Sequence, residues 1–377
     1  MMTRLVQILA LSALVGAASR AGAQGSIGAQ GLGYPVGGLS GAAAALGGAN
    51  AELDPNSSVN PAAITRANRF SIMLRFEPEM RETTVGSQRA YANLVRFPGF
   101  QATGGYGRWV GAIGISPMLD RTWRNQISDT LVVSGVPTES QLQVSSDGAM
   151  NDARVALGYV ISPRVQVGAA VHAVVGENRT FFQRVFPDTS GVQGISQTNS
   201  FGFAGSAYSV GVVAEVLTDL VLSASTKFGG DLTMELEGSE LTTAKVPSRT
   251  GVGLAYFGIR GITAHVRADQ VRWTDLEGLS GSASAVFDGT ELAAGLEALG
   301  PTLFGANMLL RAGLRDRTLP FGVNGEQVRE NGFAFGLGLP LARGRTQIDL
   351  GAQRLRRSSP GAQENSWFLS LGFGIRP

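Results

Sequence analysis

His265, Arg267 and Asp269 stand at two-residue spacing, and the only other histidine of the chain is His172. On an extended strand that spacing puts all three side chains on one face. A His–Asp pair so placed could act as base and orienter for a nucleophilic serine. The same residues also make an Arg–Asp charge pair on the wall of a polar interior. That structural role is the one expected, and no catalytic residue is assigned. Without a cysteine, two histidines could bind a metal only with nearby carboxylates that the sequence does not place, and no metal site is assigned. Gly31, Gly33, Gly37 and Gly38 do not form G-x-G-x-x-G and follow no strand, so no cofactor is expected there. A net charge of +2 offers no broad footprint for nucleic acid.

The strands that carry these residues read as membrane-crossing. Trp367, Leu369, Leu371, Phe373 and Ile375 alternate with Phe368, Ser370, Gly372 and Gly374. Phe333, Phe335, Leu337 and Leu339 alternate likewise with Ala334, Gly336 and Gly338. In a soluble sandwich the second face would carry many charges for water. Here it is mostly small or amide-bearing, which is the inside of a barrel whose apolar face meets lipid. The composition agrees: 52 glycines, no cysteine and only 16% charged residues in 377, against about 25% charged in an average soluble domain.

Fourteen such segments are expected, near 69–77, 89–97, 107–118, 149–161, 165–180, 196–216, 219–236, 248–259, 262–275, 289–298, 304–315, 331–341, 345–356 and 365–376. Their links alternate short and long, with long polar loops at 78–88, 119–148, 181–195, 237–247, 276–288, 316–330 and 357–364. An even strand count with short turns at one end and long loops at the other is the pattern of outer-membrane barrels. Fold class is therefore all-β, a transmembrane antiparallel barrel. On its lumen face fall Arg154, His172, Glu215, His265, Arg267, Asp269, Arg311, Asp349 and Gln353. Trp123, Phe181, Phe182, Phe287 and Phe321 fall in the loops, where an apolar solute could be captured.

Residues 1–23 read as a signal peptide, with a basic start, an apolar run over Leu5–Ala18 and Ala21-Gly22-Ala23 before Gln24. Between it and the barrel, 24–67 is small, Gly/Ala-rich and aperiodic, and 68–377 forms the barrel. The stretch from Ser40 to Glu52, then Leu53-Asp54-Pro55-Asn56-Ser57-Ser58 and Asn60-Pro61-Ala62, resembles the start of the FadL/TodX family of outer-membrane hydrophobic-compound transporters and their PorV-like relatives. The resemblance implies a fourteen-stranded barrel whose N-terminal segment folds into the lumen as a hatch, with Asn60, Pro61 and Ala62 at its base. It implies passive, hatch-gated uptake of small hydrophobic compounds such as fatty acids or aromatic hydrocarbons. The alternative it carries is a binding or scaffold role beside a secretion-system protein, as in PorV-like barrels. Expected partners are outer-membrane lipid and a hydrophobic small molecule, for a monomer in the outer membrane of a diderm bacterium. The end of the chain departs from the family, closing on Gly374-Ile375-Arg376-Pro377 rather than on an aromatic.

Overall fold

The computed structural model describes residue 27 and residues 31–67, 70–85, 88–280, 285–303 and 305–375. The expected signal peptide lies outside them. Fourteen strands close into one antiparallel barrel: β1 (Ser71–Val85), β2 (Gln88–Tyr106), β3 (Trp109–Asp120), β4 (Val136–Ser162), β5 (Val165–Val185), β6 (Ile195–Leu217), β7 (Leu220–Leu236), β8 (Ser248–Ile259), β9 (Ile262–Arg272), β10 (Gly289–Leu303), β11 (Ala306–Val323), β12 (Glu326–Leu341), β13 (Thr346–Ser359) and β14 (Ala362–Ile375). Neighbours in sequence are neighbours in space, and β14 pairs with β1 from Ala362↔Val85 to Ile375↔Ile72. Closure leaves no open edge, so every strand finds backbone partners within the sheet. Among the described residues no helix is long and apolar enough to cross a membrane.

Each expected segment coincides with a strand, but the long loops are mostly not loops. They are hairpins in which the strands continue past the apolar belt. The 78–88 link is the upper end of β1 and β2, and 316–330 and 357–364 are strand for nearly their whole length. Within 119–148 a further strand, Trp123–Val133, pairs with the extension of β4. Ser239–Lys245 pairs in the same way with the upper half of β7. A polar strand beyond the bilayer still needs its hydrogen bonds, and a paired hairpin supplies them where a loop would rely on water.

The two faces differ as the alternation requires. Phe333, Phe335, Leu369, Leu371, Phe373 and Ile375 are exposed on the outside, whereas Ala334, Gln353, Phe368 and Ser370 are buried inside. Across β12, β13 and β14 the outward apolar rows run from Leu341, Thr346 and Ile375 up to Phe333, Arg354 and Trp367. Eight residues of strand rise about 27 Å, or about 20 Å of height at the usual tilt, close to the roughly 25 Å apolar band of such barrels.

Candidate functional site

The interior is built from rows of directly paired residues, and small and charged rows have separate tasks. Gly158, Gly168 and Gly211 pair side by side on β4, β5 and β6. Against them lies a 3-10 turn, Pro61–Arg66, whose N-cap is Asn60. The Asn60 side chain accepts from the Ala62 amide at 2.9 Å and donates to the Glu52 and Val212 carbonyls at 3.0 and 3.4 Å. Pro61 starts the turn where its missing N–H costs nothing. A Cβ at Gly168 would stand 2.5 Å from Pro61 and Ala62 backbone, and one at Gly211 would stand 2.0 Å from Asn60 Oδ1. Only hydrogen at those positions lets the segment approach so closely.

A second small patch receives the short helix α1 (Gly41–Ala45), capped by Ser40, whose hydroxyl accepts from Ala43 N at 3.1 Å. Gly336 and Gly351, paired on β12 and β13, face Ala45, and Gly295 and Gly313 on β10 and β11 face Leu46. Between the helix and the turn, Ser57 donates to Asp54 at 2.6 Å and Ser57 Oγ accepts from Ser40 N at 3.0 Å. Burial pushes the Asp54 carboxyl above the usual aspartate range, against the lowering effect of its Ser40, Ser57 and Asn56 hydrogen bonds.

Wall arginines satisfy carbonyls of this irregular segment. Arg154 donates to Ser57 O at 3.0 Å and to Gln101 Oε1 at 2.5 Å. Arg75 reaches Leu39 O at 2.5 Å, Arg267 reaches Gly48 O at 3.2 Å, and Arg317 reaches Pro35 O at 3.0 Å. Glu52 is the segment's own charge in this lattice. Fully buried, it pairs with Arg249 at 2.5 Å and accepts from Ser225.

Above α1 a charged row crosses seven strands in direct register: Asp269, Glu291, Arg317, Glu330, Arg357, Glu364 and Thr83. Arg357 is completely buried among Glu330 at 2.7 Å, Glu79 at 3.1 Å and Glu364. Tyr34 enters this row from the N-terminal segment, donating to Glu330 at 2.8 Å, with the Arg357 guanidinium carbon 4.0 Å from its ring centre. Such charges can be buried because each meets opposite charge and hydrogen bonds. Their partners lie in stretches the sequence reading gave to loops, which is why Glu79, Arg317, Glu330, Arg357 and Glu364 escaped it. Continued alternation through Arg75, Glu77, Glu79, Arg81 and Thr83 was the signal.

The residues expected in the lumen separate into groups. Arg267 bridges Glu291 at 2.8 Å and Asp269, and Asp269 also meets Arg249 at 3.3 Å. Arg311 bridges Glu297 at 2.6 Å and Asp349 at 2.5 Å. His265 is buried beside the Arg311–Glu297 pair without joining it, and its Nδ1 has no protein partner among the described residues. Glu215 is half-buried near the turn end, its backbone N–H donating to Arg164 O at 2.7 Å and its carboxylate attracting the Arg66 guanidinium. His172 instead joins a relay: Nδ1 to Asp152 at 2.8 Å and Nε2 to Ser209 Oγ at 2.9 Å. Lys227 pairs with the same Asp152 at 3.3 Å, so the carboxylate on β4 is shared between His172 on β5 and Lys227 on β7 and braces three strands.

Toward the hairpin end the lumen turns apolar. Met118, Met150, Val174, Phe203, Leu232, Met234, Trp273 and Leu276 cluster there with Leu32 of the N-terminal segment. Of the loop aromatics, Phe321 is buried in a second cluster with Ile27, Tyr34 and Phe368. Between the N-terminal segment and the wall lies a cavity of about 130 Å³ lined by Pro35, Leu39, Met118, His172, Arg267 and Trp273 among others.

Solved structures share this fold. A Pseudomonas aeruginosa FadL homologue superposes with a TM-score of 0.62 at 10% identity, over 92% of this chain and 100% of that one. The fold is of the FadL/TodX type. The CymD monoaromatic hydrocarbon channel matches with a TM-score of 0.59 at 13% identity, over 92% and 99% of the two chains. The P. putida toluene transporter TodX gives 0.58 at 14%, over 90% and 99%. No protein-family profile and no curated protein matches the sequence. The likeness therefore lies in the backbone: strand number, closure and shape.

Proposed function

We propose that the chain is an outer-membrane channel for passive uptake of small hydrophobic compounds, gated by its N-terminal segment. In this reading residues 1–23 are an export signal, 24–67 the hatch and 68–377 the barrel. The supporting observation is the juxtaposition of an apolar, methionine-rich cluster in the hairpin half with a segment docked beneath it on glycine rows. Methionine packs against varied apolar shapes, which suits compounds such as aromatic hydrocarbons or fatty acids. A segment held by side-chain and carbonyl contacts and by one two-residue pairing, Tyr34–Pro35 with Leu119–Asp120, can leave without breaking any pairing among the fourteen barrel strands. Transport then follows a gradient. The channel neighbours support a transport role rather than an enzymatic one, and no observation favours the secretion-scaffold alternative.

The test is uptake in proteoliposomes of an aromatic hydrocarbon and a fatty acid, with a sugar as polar control. The full chain should pass an apolar solute and exclude the sugar, and a chain lacking residues 25–50 should pass both. Equal permeability to every solute with and without that segment would overturn the reading.

A further inference from the structure

On one sector of the barrel exterior the apolar belt ends abruptly in guanidinium groups. Outward Phe333, Arg354 and Trp367 are paired in a single row across β12, β13 and β14. Arg354 Cζ lies 5.5 Å from the Trp367 ring centre, and that ring stands edge-on to Phe333 and Phe335 at 6.3 and 6.5 Å. The row below is Phe335, Ala352 and Leu369; the row above is Asn331, Arg356 and Asn365; beyond it come Arg329, Ser358 and Gln363. The surface thus changes from aromatic to cationic within about 7 Å of strand.

The charge balance of this sector is specific. Arg329 is neutralised by Asp316 at 2.5 Å, and Glu82, two strands from Arg356, is engaged by Arg89 at 3.6 Å. Arg354 and Arg356 have no carboxylate within ion-pair distance among the described residues. Arg356 donates to Gln363 at 3.0 Å, and Arg354 stacks on Trp367. A cation on the lipid face costs about 2–4 kcal/mol at mid-depth and little at the interface. Arg354 ends the apolar belt and Arg356 stands in the polar row above it, where that cost falls to about 0–1 kcal/mol. The stacked guanidinium keeps a fork of donors matched to phosphate oxygens.

We infer that this sector binds the phosphate-bearing headgroup of an outer-leaflet glycolipid, with phosphates on Arg354 and Arg356 and acyl chains along Phe333, Phe335 and Leu369. The inference rests on the channel reading only in taking the hairpin end as external. A free anion would have no use for the aromatic shelf immediately beneath the two cations, so the occupant is a lipid.

The experiment is native mass spectrometry of the full chain in detergent, mixed with lipid A, with phosphatidylglycerol, and with inorganic phosphate as competitor. The wild type should retain lipid A in preference to phosphatidylglycerol. Arg354→Gln/Arg356→Gln should retain it about tenfold less, and Arg179→Gln, whose arginine is paired with Glu177 on the far side, should match wild type. Equal retention by the double variant, displacement by inorganic phosphate, or equal retention of phosphatidylglycerol would overturn the inference. Heat-dependent mobility of the double variant shows that it is folded, and its apolar uptake is scored separately. Loss of lipid A with uptake intact supports this site, whereas absence of uptake in the wild type bears on the channel reading alone.

Discussion

Replacing Gly168 by alanine should loosen the N-terminal segment while leaving the barrel intact. The new Cβ would meet Pro61 C, Pro61 O and Ala62 N at 2.5 Å, all backbone atoms with no rotamer to yield. Since ordinary carbon contacts lie near 3.5–4.0 Å, the turn must retreat by about 1 Å or more. Retreat stretches the Asn60 cap and the two bonds its amide gives to Glu52 and Val212. A cap contributes about 1 kcal/mol and each hydrogen bond about 0.5–1.5 kcal/mol, so docking should weaken by about 2–4 kcal/mol. At a factor of ten per 1.4 kcal/mol, the undocked population rises roughly 30- to 700-fold. The barrel itself should gain slightly, because glycine within a strand is about 0.5–1 kcal/mol worse than alanine. The assay is leakage of a small sugar from proteoliposomes, read beside the temperature at which the unboiled electrophoretic form converts to the boiled one. Leakage should rise while that temperature holds or increases. Unchanged leakage, or a fall in both, would refute the argument that the glycine row exists to seat the segment.

Three further outcomes follow from the same lattice. Glu52→Gln should leave Arg249 buried beside Asp269 alone and weaken docking by a few kcal/mol, seen as faster hydrogen exchange over residues 45–60. Arg357→Met should remove the one cation shared by Glu79, Glu330 and Glu364, leaving the first and last to Arg81 and Glu330 to Arg317, and lower the conversion temperature of the unboiled form. Ser209→Ala should leave apolar uptake unchanged, and a serine-reactive fluorophosphonate should not label the wild type, since the Ser209–His172–Asp152 relay is tied to Lys227 as a brace.

What the sequence made legible was whatever repeats every two residues. The apolar face of β14 and the small face of β12 could be read residue by residue because lipid and a packed interior impose opposite compositions on one strand. The strand ends could not, since above the belt both faces turn polar and Glu79–Arg81 or Arg357 reads like loop. There the hairpins are held by cross-strand ion pairs, a property of register rather than of composition. The histidines show the same limit: His172 and His265 have the same burial and face, yet only His172 has Asp152 and Ser209 within reach. The Asn60-Pro61-Ala62 turn was visible, while the Gly158–Gly168–Gly211 row beneath it became meaningful only once three distant strands stood side by side.

The central claim, that the N-terminal segment must move for an apolar solute to pass, can be tested by fastening it. The chain has no cysteine, so one introduced pair reports cleanly. Ala45 Cβ lies 3.3 Å from where a Cβ at Gly351 would stand, just under the about 3.5–4.5 Å usual between cross-linked Cβ atoms, so a shift of α1 by a few tenths of an ångström and a turn of the Ser370 hydroxyl, 2.5 Å from the same point, admit the bond. Ala45→Cys with Gly351→Cys joins α1 to β13. Uptake of the aromatic hydrocarbon by the oxidised variant should fall to the level of empty liposomes and return on reduction, while each single variant transports throughout. Full uptake by the oxidised, cross-linked variant would contradict the account.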